Sequence, residues 1–422
     1  MTKLTNGRIL IAGRGVSGCG AAHALARAGA CFDVAEGKQA VDCVLSRGYS
    51  LIVASPGINP AGELFSAAAG KGVEIISEIE LGYMLNRGKI AAVTGTNGKT
   101  TVCKMLTLML SQRYRTELCG NIGKSFSETA ADGNYDVAVV EISSFQLETI
   151  KEFRPDVAVI TNIEQDHLDR HLTMDRYAEI KKRIAMNQTE TDTLVLSQDG
   201  IPIKYLAGFA PRGKTVFGCV RGKIDGAYKD NDRFYYFDDY IADKKDLPFS
   251  ERHNYENFLL ASAAARSLGI TCDEIRRAIR MFTPEPHRLA LVRELNGVKF
   301  YDDSKGTNVA ATRAALSEMK GSVCLIAGGS DKNCSYEKIF TTNAELKKIN
   351  LIGSTRHKIR EAAFFGGFSN VTMFETLKDA VADAYMSGCR NVLFSPACAS
   401  FDMFENYERR GEAFTETVNE LV

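Results

Sequence analysis

One segment, residues 89–110, constrains the fold of this chain more than any other. A buried strand at residues 89–93 leads into the glycine loop 94–101, and apolar residues then recur at helical spacing over residues 102–110. A strand, a tight glycine turn and a helix in that order are typical of α/β proteins, in which helices connect parallel strands. We therefore expect an α/β fold.

The glycine loop reads T-G-T-N-G-K-T-T and predicts a phosphate-binding loop, or P-loop. Glycines let successive backbone N–H groups converge on phosphate oxygens, and the helix that follows adds its positive N-terminal end. Lys99 would neutralise the terminal phosphates of ATP, and Thr100 would offer its hydroxyl to Mg²⁺. The loop departs from the pattern G-x-x-x-x-G-K-[ST], because Val93 stands where the first glycine is expected.

The composition narrows the class of protein. A chain of 422 residues, 45% of them hydrophobic and 25% charged, can bury two or three cores, so we expect several domains. The formal net charge is zero, which gives no reason to expect nucleic acid or an anionic membrane as a partner. The 11 cysteines include no C-x-x-C pair and favour reduced thiols. No apolar run approaches the ~20 residues that span a bilayer, and residues 1–8 are too polar for a signal peptide, so we expect a cytoplasmic protein.

Strand and helix signals alternate along the chain and predict three domains. Residues 1–88 form a Rossmann-like N-terminal domain, residues 89–284 a central P-loop ATPase-type domain, and residues 285–422 a Rossmann-like C-terminal domain. The run 283–286 is the predicted linker, since its two prolines disfavour helix. Alternation over residues 233–237 adds a small antiparallel part to the parallel sheet of the central domain. The strands predicted in the two outer domains are Arg8–Ala12, Cys31–Ala35, Leu51–Ala54, 297–301, 323–327, 350–352, 370–374 and Asn391–Phe394.

A second glycine turn follows the first strand. Gly13, Gly15 and Gly18 match the dinucleotide pattern G-x-G-x-x-G, ahead of a helix predicted from residue 19 to residue 28, and Glu36 lies where an acidic residue would reach a ribose hydroxyl. The predicted domain is about half of a complete dinucleotide-binding fold, so a complete NAD site is not expected. A uridine or another adenine nucleotide could use the same helix N-terminus. An NAD-dependent dehydrogenase stays open as an alternative function.

Polar residues follow two further buried strands of the central domain, where α/β proteins build their sites. Glu141 follows one strand, and Asp166 and His167 follow the next. A carboxylate and an imidazole beside a P-loop could ligate Mg²⁺, although Asp166 could equally cap a helix. His167 and His171 have the i, i+4 spacing of a metal pair, but without H-E-x-x-H we expect no zinc site and interpret His171 as a solvated turn residue.

The residues of three later stretches do not by themselves decide the function of those stretches. Lys181, Lys182 and Arg183 are typical of a solvated helix face. Arg288 lies between two predicted domains and could clamp a phosphate when they close. Residues 302–308 end a strand and open a helix, which makes them either an anion site or an ordinary capped turn.

In their order along the chain, these motifs resemble those of the Mur ligases of bacterial cell-wall synthesis. The resemblance covers nearly the whole chain, but its central motifs are shared with folylpolyglutamate synthases. Two further stretches, 53–58 and 395–407, resemble the members that add D-glutamate to UDP-N-acetylmuramoyl-L-alanine, and the D-N-P-R stretch of other members is absent. The shared motifs are residues 95–101, 141–146, 166–167, 253–257, 287–288, 303–308 and 328–332.

The resemblance implies an ATP-dependent, ADP-forming acid–amino-acid ligase of peptidoglycan precursor synthesis. Its catalytic residues would be Lys99, Glu141, His167 and Lys181, with Lys181 carbamylated and Lys182 as the neighbouring choice of register. Two Mg²⁺ ions would be held by Thr100, Glu141, His167 and Lys181. The residues expected to bind ATP are Gly95, Thr96, Asn97, Gly98, Lys99, Thr100, Thr101, Asn257, Arg288 and Asp303.

The resemblance also assigns the other two substrates. The UDP substrate would meet Val16, Ser17, Glu36, Asn121 and Ser143. D-Glutamate would meet Lys305, Thr307, Ser400, Phe401 and Tyr407, and Tyr407 departs from the phenylalanine expected at that position. Only small-molecule partners are expected, with no nucleic acid, no membrane and a monomeric state.

Two rival functions differ from this one in the domains they need or in the hydrolysis they perform. A folylpolyglutamate synthase would keep the central ATP residues but would need neither the glycine-turn domain in front nor the serine-containing ending. A P-loop protein with a purely structural or partner-binding role would hydrolyse nothing in response to amino acids.

Overall fold

The structure is a computed structural model that describes residues 2–284, 286–332 and 334–422. Glu285, which belongs to the predicted linker, lies outside the described residues. The chain divides into two compact units. The first contains the residues up to 163 together with 175–250 and 254–282, and the second contains 164–174, 251–253 and 283–422.

The first unit begins with a four-stranded sheet in the order β2-β1-β3-β4, in which every neighbouring pair is parallel. Helices connect its strands, as a parallel sheet requires. The three strands predicted here are confirmed, and the fourth extends the sheet. These elements are α1 (Thr2–Thr5), β1 (Arg8–Ala12), α2 (Val16–Arg27), β2 (Cys31–Ala35), α3 (Gly37–Ser46), β3 (Leu51–Ala54), α4 (Glu63–Lys71), β4 (Glu74–Ser77) and α5 (Glu78–Leu85).

A nine-stranded sheet follows in the order β13-β12-β11-β10-β9-β8-β5-β7-β6. Its strands are β5 (Lys89–Thr94), β6 (Thr116–Gly120), β7 (Val137–Glu141), β8 (Val157–Ile160), β9 (Thr193–Ser197), β10 (Lys214–Cys219), β11 (Gly226–Asp230), β12 (Arg233–Tyr236) and β13 (Asp239–Asp243). The pairs from β6 to β11 are parallel and the pairs β11–β12 and β12–β13 are antiparallel, which confirms the predicted small antiparallel part.

The helices between residues 99 and 279 belong mainly to the same unit as this sheet, whereas the helix Leu168–His171 belongs to the second unit. Strands such as β7 are buried along their whole length, because both faces of the sheet are covered. The alanine-rich centre of the longest of these helices packs against the sheet in one large apolar core. The helices are α6 (Lys99–Leu110), α7 (Phe126–Asp132), α8 (Ser144–Leu147), α9 (Leu168–His171), α10 (Met174–Lys182), α11 (Ile203–Leu206), α12 (Arg252–Ser267) and α13 (Cys272–Ile279).

Helix α7 joins the four-stranded part to the nine-stranded part within the first unit. Gly82 on α5 lies against Phe126, and a Cβ added at Gly82 would come within 2.5 Å of that ring. The buried Glu78 carboxylate accepts the backbone N–H of Ser127 at 2.5 Å. Glu80 accepts three backbone N–H groups of residues 151–153 at 2.7–3.2 Å. Buried carboxylates therefore satisfy backbone donors across this contact.

The second unit contains a six-stranded sheet in the order β14-β15-β19-β16-β17-β18. β14 and β15 form an antiparallel pair, and the remaining pairs are parallel. The five strands predicted here are confirmed, although 350–352 is only the end of a longer strand. The elements are β14 (Ala290–Leu295), β15 (Val298–Asp302), α14 (Val309–Glu318), β16 (Ser322–Ala327), β17 (Glu345–Leu351), α15 (Arg356–Phe365), β18 (Val371–Met373), α16 (Leu377–Tyr385), β19 (Asn391–Phe394) and α17 (Tyr407–Asn419).

The predicted fold class is confirmed, with three α/β sheets in the predicted order along the chain. The domain boundaries at residues 88/89 and 284/285 stay predictions. None of the helices in the described part of the chain is long and apolar enough to span a membrane.

Candidate active site

The P-loop connects β5 to α6 and depends on two glycines with left-handed backbone. Gly95 has φ +147° and Gly98 has φ +81°, conformations that side chains disfavour. A Cβ on Gly95 would lie 1.8 Å from Thr161 Oγ1, and one on Gly98 would lie 2.3 Å from Asn257 Oδ1. Neighbouring elements thus approach the loop where only hydrogen atoms fit. The approach of Asn257 brings one residue of the predicted ATP set to the loop.

The residues that follow β8 hold the P-loop in place. The Asn97 N–H donates to Asn162 Oδ1 at 2.8 Å, and the Asn97 carbonyl accepts from Thr161 Oγ1 at 2.6 Å and from Asn162 Nδ2 at 3.0 Å. The Thr96 N–H also donates to the Asn162 carbonyl at 3.1 Å. Neither Thr161 nor Asn162 was among the predicted site residues. Their position directly after a buried parallel strand was the available signal.

Two lysines meet at one carbonyl of the P-loop. Lys99 Nζ donates to the carbonyls of Gly95 and Thr96 at 3.0 and 2.9 Å, and Lys181 Nζ donates to the same Gly95 carbonyl at 2.8 Å. Lys181 is only 1% exposed. Its ammonium lies 4.5 Å from the centre of the Tyr177 ring, whose hydroxyl is 3.3 Å from Thr96 Oγ1. The structure therefore brings Lys99 and Lys181 together.

The solvated face predicted from the run of cations is wrong for its two lysines. Lys182 is 8% exposed and pairs with Glu179, and Lys181 is buried against the P-loop. A run of charges looks solvated in sequence, but here the end of α10 packs against the loop. His171, predicted to be a solvated turn residue, is also buried, with an exposed fraction of 0%.

Glu141 lies beside the start of the P-loop, because it is the register partner of Val93 in the parallel pair β5–β7. Its Oε1 accepts from Asn121 Nδ2 at 2.9 Å, and its backbone carbonyl accepts the Asn121 N–H at 2.8 Å. Its Oε2 is buried and has no hydrogen-bond partner among the described residues. A buried carboxylate oxygen without a donor is suited to a hard cation such as Mg²⁺.

Ser143, another predicted substrate residue, is the N-cap of α8. Its hydroxyl donates to Gln146 Oε1 at 2.9 Å and accepts the Gln146 N–H, so that serine and glutamine form a capping box. The box holds Ser143 two residues after Glu141 and leaves it partly exposed.

The residues predicted to bind the UDP group lie at the carboxyl ends of β1 and β2. Val16 and Ser17 form the first turn of α2, so the helix begins at Val16 and the predicted start at residue 19 is wrong. Glu36 is the N-cap position of α3. The two strands end side by side, with Ala12 opposite Ala35 in the register. These three residues therefore share one edge of the sheet.

Asp303 and Arg288 lie near each other in the second unit. Asp303 is buried, and its Oδ2 accepts from Ser395 Oγ at 2.6 Å while its Oδ1 accepts the Leu289 N–H at 3.2 Å. Burial raises the pKa of Asp303 to about 7, and the Arg288 charge opposes that rise. Arg288 Nε is buried and has no hydrogen-bond partner within the described chain.

The predicted D-glutamate residues follow two neighbouring strands, β15 and β19, in loops except for Tyr407, which begins α17. The Lys305 N–H donates to the His287 carbonyl at 3.0 Å, and the Lys305 ammonium lies 5.5 Å from the centre of the Tyr407 ring. Thr307 follows in the same loop. Ser400 is buried, with 3% exposed, whereas Phe401 next to it is 76% exposed.

His167 belongs to the second unit, so the predicted metal residues are divided between the units. It has φ +51°, and its N–H donates to Asp166 Oδ1 at 2.9 Å. Lys332 Nζ and Asn308 Nδ2 bind the same Asp166 carboxylate at 3.2 and 3.3 Å. Over the described ranges, no group of three or more His, Cys, Asp or Glu side chains is arranged to hold a metal ion.

Comparison with known proteins places this geometry in a family. Residues 93–265 match the family described as Mur ligase middle domain. The UDP-N-acetylmuramoylalanine–D-glutamate ligase of Caldicellulosiruptor bescii is 40% identical over 88% of this chain and 84% of that protein. The ligase of the same name from Lachnospira eligens is 37% identical over 99% of this chain and 100% of that protein. The chain belongs to the Mur ligase family.

Solved structures of Mur ligases and a related ligase share the fold. A pseudomurein peptide ligase type C from Methanothermus fervidus superposes with a TM-score of 0.64 at 19% identity, over 98% of this chain and 100% of that one. The MurF ligase of Thermotoga maritima, in complex with ADP, gives 0.63 at 18% identity, over 99% and 96%. These likenesses support the fold, and the curated relatives confirm the predicted family, while the roles of individual residues stay predictions.

Proposed function

We propose that this Mur ligase joins D-glutamate to UDP-N-acetylmuramoyl-L-alanine, with conversion of ATP to ADP and phosphate, as a step of peptidoglycan precursor synthesis. The end-to-end match to the Lachnospira eligens D-glutamate ligase carries the proposal, because it spans both units. It therefore includes the P-loop and the loops after β15 and β19.

The proposed reaction has two steps. The carboxylate of the UDP substrate is a poor electrophile, so it first attacks the γ-phosphate of ATP in line and forms an acyl phosphate, with ADP leaving. The D-glutamate amine then attacks the acyl carbon to give a tetrahedral intermediate, from which phosphate leaves as the amide forms. Water must be excluded between the steps, because it would hydrolyse the acyl phosphate.

The P-loop would position ATP for the first step. The N–H groups of residues 95–101 and Lys99 would bind its phosphates at the N-terminus of α6. Asn257, Arg288 and Asp303 would hold the rest of the nucleotide. The close approach of Asn257 to Gly98 and the nearness of Arg288 to Asp303 support these roles.

The proposed reaction uses two Mg²⁺ ions. Thr100, Glu141 and His167 would hold them, together with Lys181 after its amine has taken up CO₂ as a carbamate. The buried, unpartnered Oε2 of Glu141 supports this set. When bound, Mg²⁺ supplies positive charge that neutralises the transferring phosphoryl group.

The remaining predicted residues would bind the two joined substrates. The α2 and α3 N-termini, with Val16, Ser17 and Glu36, would hold the UDP group, and Asn121 and Ser143 would contact the sugar and peptide part. D-Glutamate would meet Lys305, Thr307, Ser400, Phe401 and Tyr407. We further propose a cytoplasmic, monomeric enzyme. The eleven cysteines, all free thiols, support a reducing compartment.

Phosphate release tests this function. The purified chain is incubated with ATP, Mg²⁺ and UDP-N-acetylmuramoyl-L-alanine, and single amino acids are added in turn. Release should depend on D-glutamate and be far weaker with L-glutamate, D-aspartate, L-lysine or diaminopimelate. Equal release with another amino acid, or release that ignores amino acids altogether, would contradict the proposal.

A further inference from the structure

Arg410 is a buried arginine that the proposed mechanism does not use. It lies in the first turn of α17 with only 1% of its surface exposed, and among the described residues it is the largest side chain that is fully buried. Burial lowers its pKa to about 10. A guanidinium away from water needs acceptors for its donors, so its partners indicate what the residue is for.

Those partners are backbone carbonyls from two separate loops. Nη2 donates to the Ser304 carbonyl at 2.9 Å and to the Cys398 carbonyl at 3.0 Å, and Nη1 donates to the Ala399 carbonyl at 3.1 Å. One guanidinium thus joins the loop after β15 to the loop after β19. Its planar fork fixes both loops in one geometry, which a flexible ammonium would not do.

Two of the residues whose carbonyls bind Arg410 directly precede predicted D-glutamate residues in the sequence. Ser304 immediately precedes Lys305, and Ala399 immediately precedes Ser400. The Ala399 carbonyl also accepts the Ser330 N–H at 2.9 Å, which brings a third loop to the same point. Any displacement of these carbonyls would therefore move Lys305 and Ser400 relative to each other.

The adjacent residue, Gly411, packs against a second residue that holds the loop after β15, His287. A Cβ there would lie 2.1 Å from His287 Nδ1, so the start of α17 packs directly against that ring. His287 Nδ1 is in turn 2.6 Å from Asp302 Oδ2, and the Asp302 Oδ1 accepts from Ser304. The loop after β15 is thus held through both Arg410 and His287.

Resting on the proposed function, we propose that Arg410 is a positioning residue that sets the spacing of Lys305 and Ser400 and thereby the affinity for D-glutamate. It does not touch the reacting atoms. Its removal should weaken the use of D-glutamate more than the use of ATP or of the UDP substrate.

The test compares Arg410→Met and Arg410→Lys with Arg409→Met. Arg409 is the control because it lies one residue away on α17, is 65% exposed and pairs with Glu412 of the same helix. The apparent KM for each of the three substrates, kcat and the thermal midpoint are measured for every variant. Wild-type phosphate release that depends on D-glutamate is established first, so that failure of the proposed function is recognised separately.

We expect Arg410→Met to raise the KM for D-glutamate by about tenfold or more, since each of the three carbonyls loses its hydrogen bond to Arg410. The KM values for ATP and the UDP substrate should stay within about twofold, because their predicted contacts lie elsewhere. The KM of Arg410→Lys for D-glutamate should lie between those of the wild type and Arg410→Met. The KM values of Arg409→Met should match those of the wild type. If Arg410→Met does not fold, Arg410→Lys decides. Equal changes in all three KM values, or a lower thermal midpoint with an unchanged KM for D-glutamate, would overturn the proposal.

Discussion

At the scale of single residues, the proposed chemistry depends on polar groups that the fold buries. Lys181 shares the Gly95 carbonyl with Lys99, and the Glu141 carboxylate keeps one buried oxygen without a donor. Such groups are costly to bury unless a ligand or a partner compensates them. The Gly95 carbonyl compensates both lysines, whereas the buried Glu141 oxygen is the group that the proposed metal site would use.

Lys181→Ala should lower the rate of D-glutamate-dependent phosphate release by at least about 100-fold, because the proposed carbamate ligand is lost. Short carboxylic acids such as acetate or formate should restore part of the rate by supplying the missing oxygens. Lys182→Ala is the matched control, since Lys182 pairs with Glu179 and should remain close to wild type. A severe defect in Lys182→Ala together with an active Lys181→Ala would move the carbamate to Lys182.

Asp303 should make stability depend on pH. Burial raises its pKa in the folded state to about 7, above the ordinary value near 4, so the folded chain holds this proton more tightly than the unfolded chain. Its contribution is fully present below about pH 4 and is lost as the pH rises through about 7, a change on the order of 4 kcal/mol. Asp303→Asn should therefore gain stability relative to wild type between pH 5 and pH 8 in urea unfolding. The same relative gain in Asp273→Asn, whose side chain is 73% exposed, would refute this origin.

Only some of these residues could be identified from the sequence. The P-loop was recognisable because its glycines and lysine are contiguous, whereas the run at 181–183 looks solvated and Lys181 was selected through the family resemblance. Arg410 gave no signal, since its partner Ser304 is 106 residues away and buried arginines are rare. Contacts between distant backbone carbonyls are a property of the folded loops and leave no local pattern.

At the scale of elements, several strands with both faces buried were predictable, although the equally buried β9 was missed. β3 reads as an unbroken apolar run, and β1 and β7 are apolar except for Arg8 and Glu141 at one end, as is typical of parallel strands covered by helices. β14 was missed because it is an edge strand with partly exposed residues and charged side chains. The starts of helices were harder to predict. Gly18, the last glycine of the turn after β1, already lies inside α2, which begins at Val16.

A single methyl group added at the contact between α5 and α7 should lower the free energy of unfolding. Gly82→Ala would place a Cβ 2.5 Å from the Phe126 ring, so the helices must separate, and we expect a loss of about 1–3 kcal/mol in the free energy of unfolding. Gly70→Ala on α4 is the control, because no atom lies within 4 Å of its added Cβ. That variant should be neutral or gain about 0.5–1 kcal/mol. Equal effects in the two variants would show that close packing of α5 is not what Gly82 serves.

At the scale of the whole molecule, the proposed substrates are divided among the three sheets. Val16, Ser17 and Glu36, proposed for the UDP group, follow strands of the four-stranded sheet, whereas Lys99 follows a strand of the nine-stranded sheet. Lys99→Ala should therefore abolish ATP-dependent joining while the affinity for UDP-N-acetylmuramoyl-L-alanine in calorimetry stays within about threefold of wild type. Binding lost in parallel with activity would contradict the separation of the two sites.

The identity of the product tests the central claim most directly. The purified chain is incubated with ATP, Mg²⁺, UDP-N-acetylmuramoyl-L-alanine and either D- or L-glutamate, and the nucleotide products are analysed by mass spectrometry. With D-glutamate, the UDP substrate should gain the mass of one glutamyl residue, with one ADP formed for each product. An unchanged UDP substrate with D-glutamate, or equal product with L-glutamate, would contradict the account.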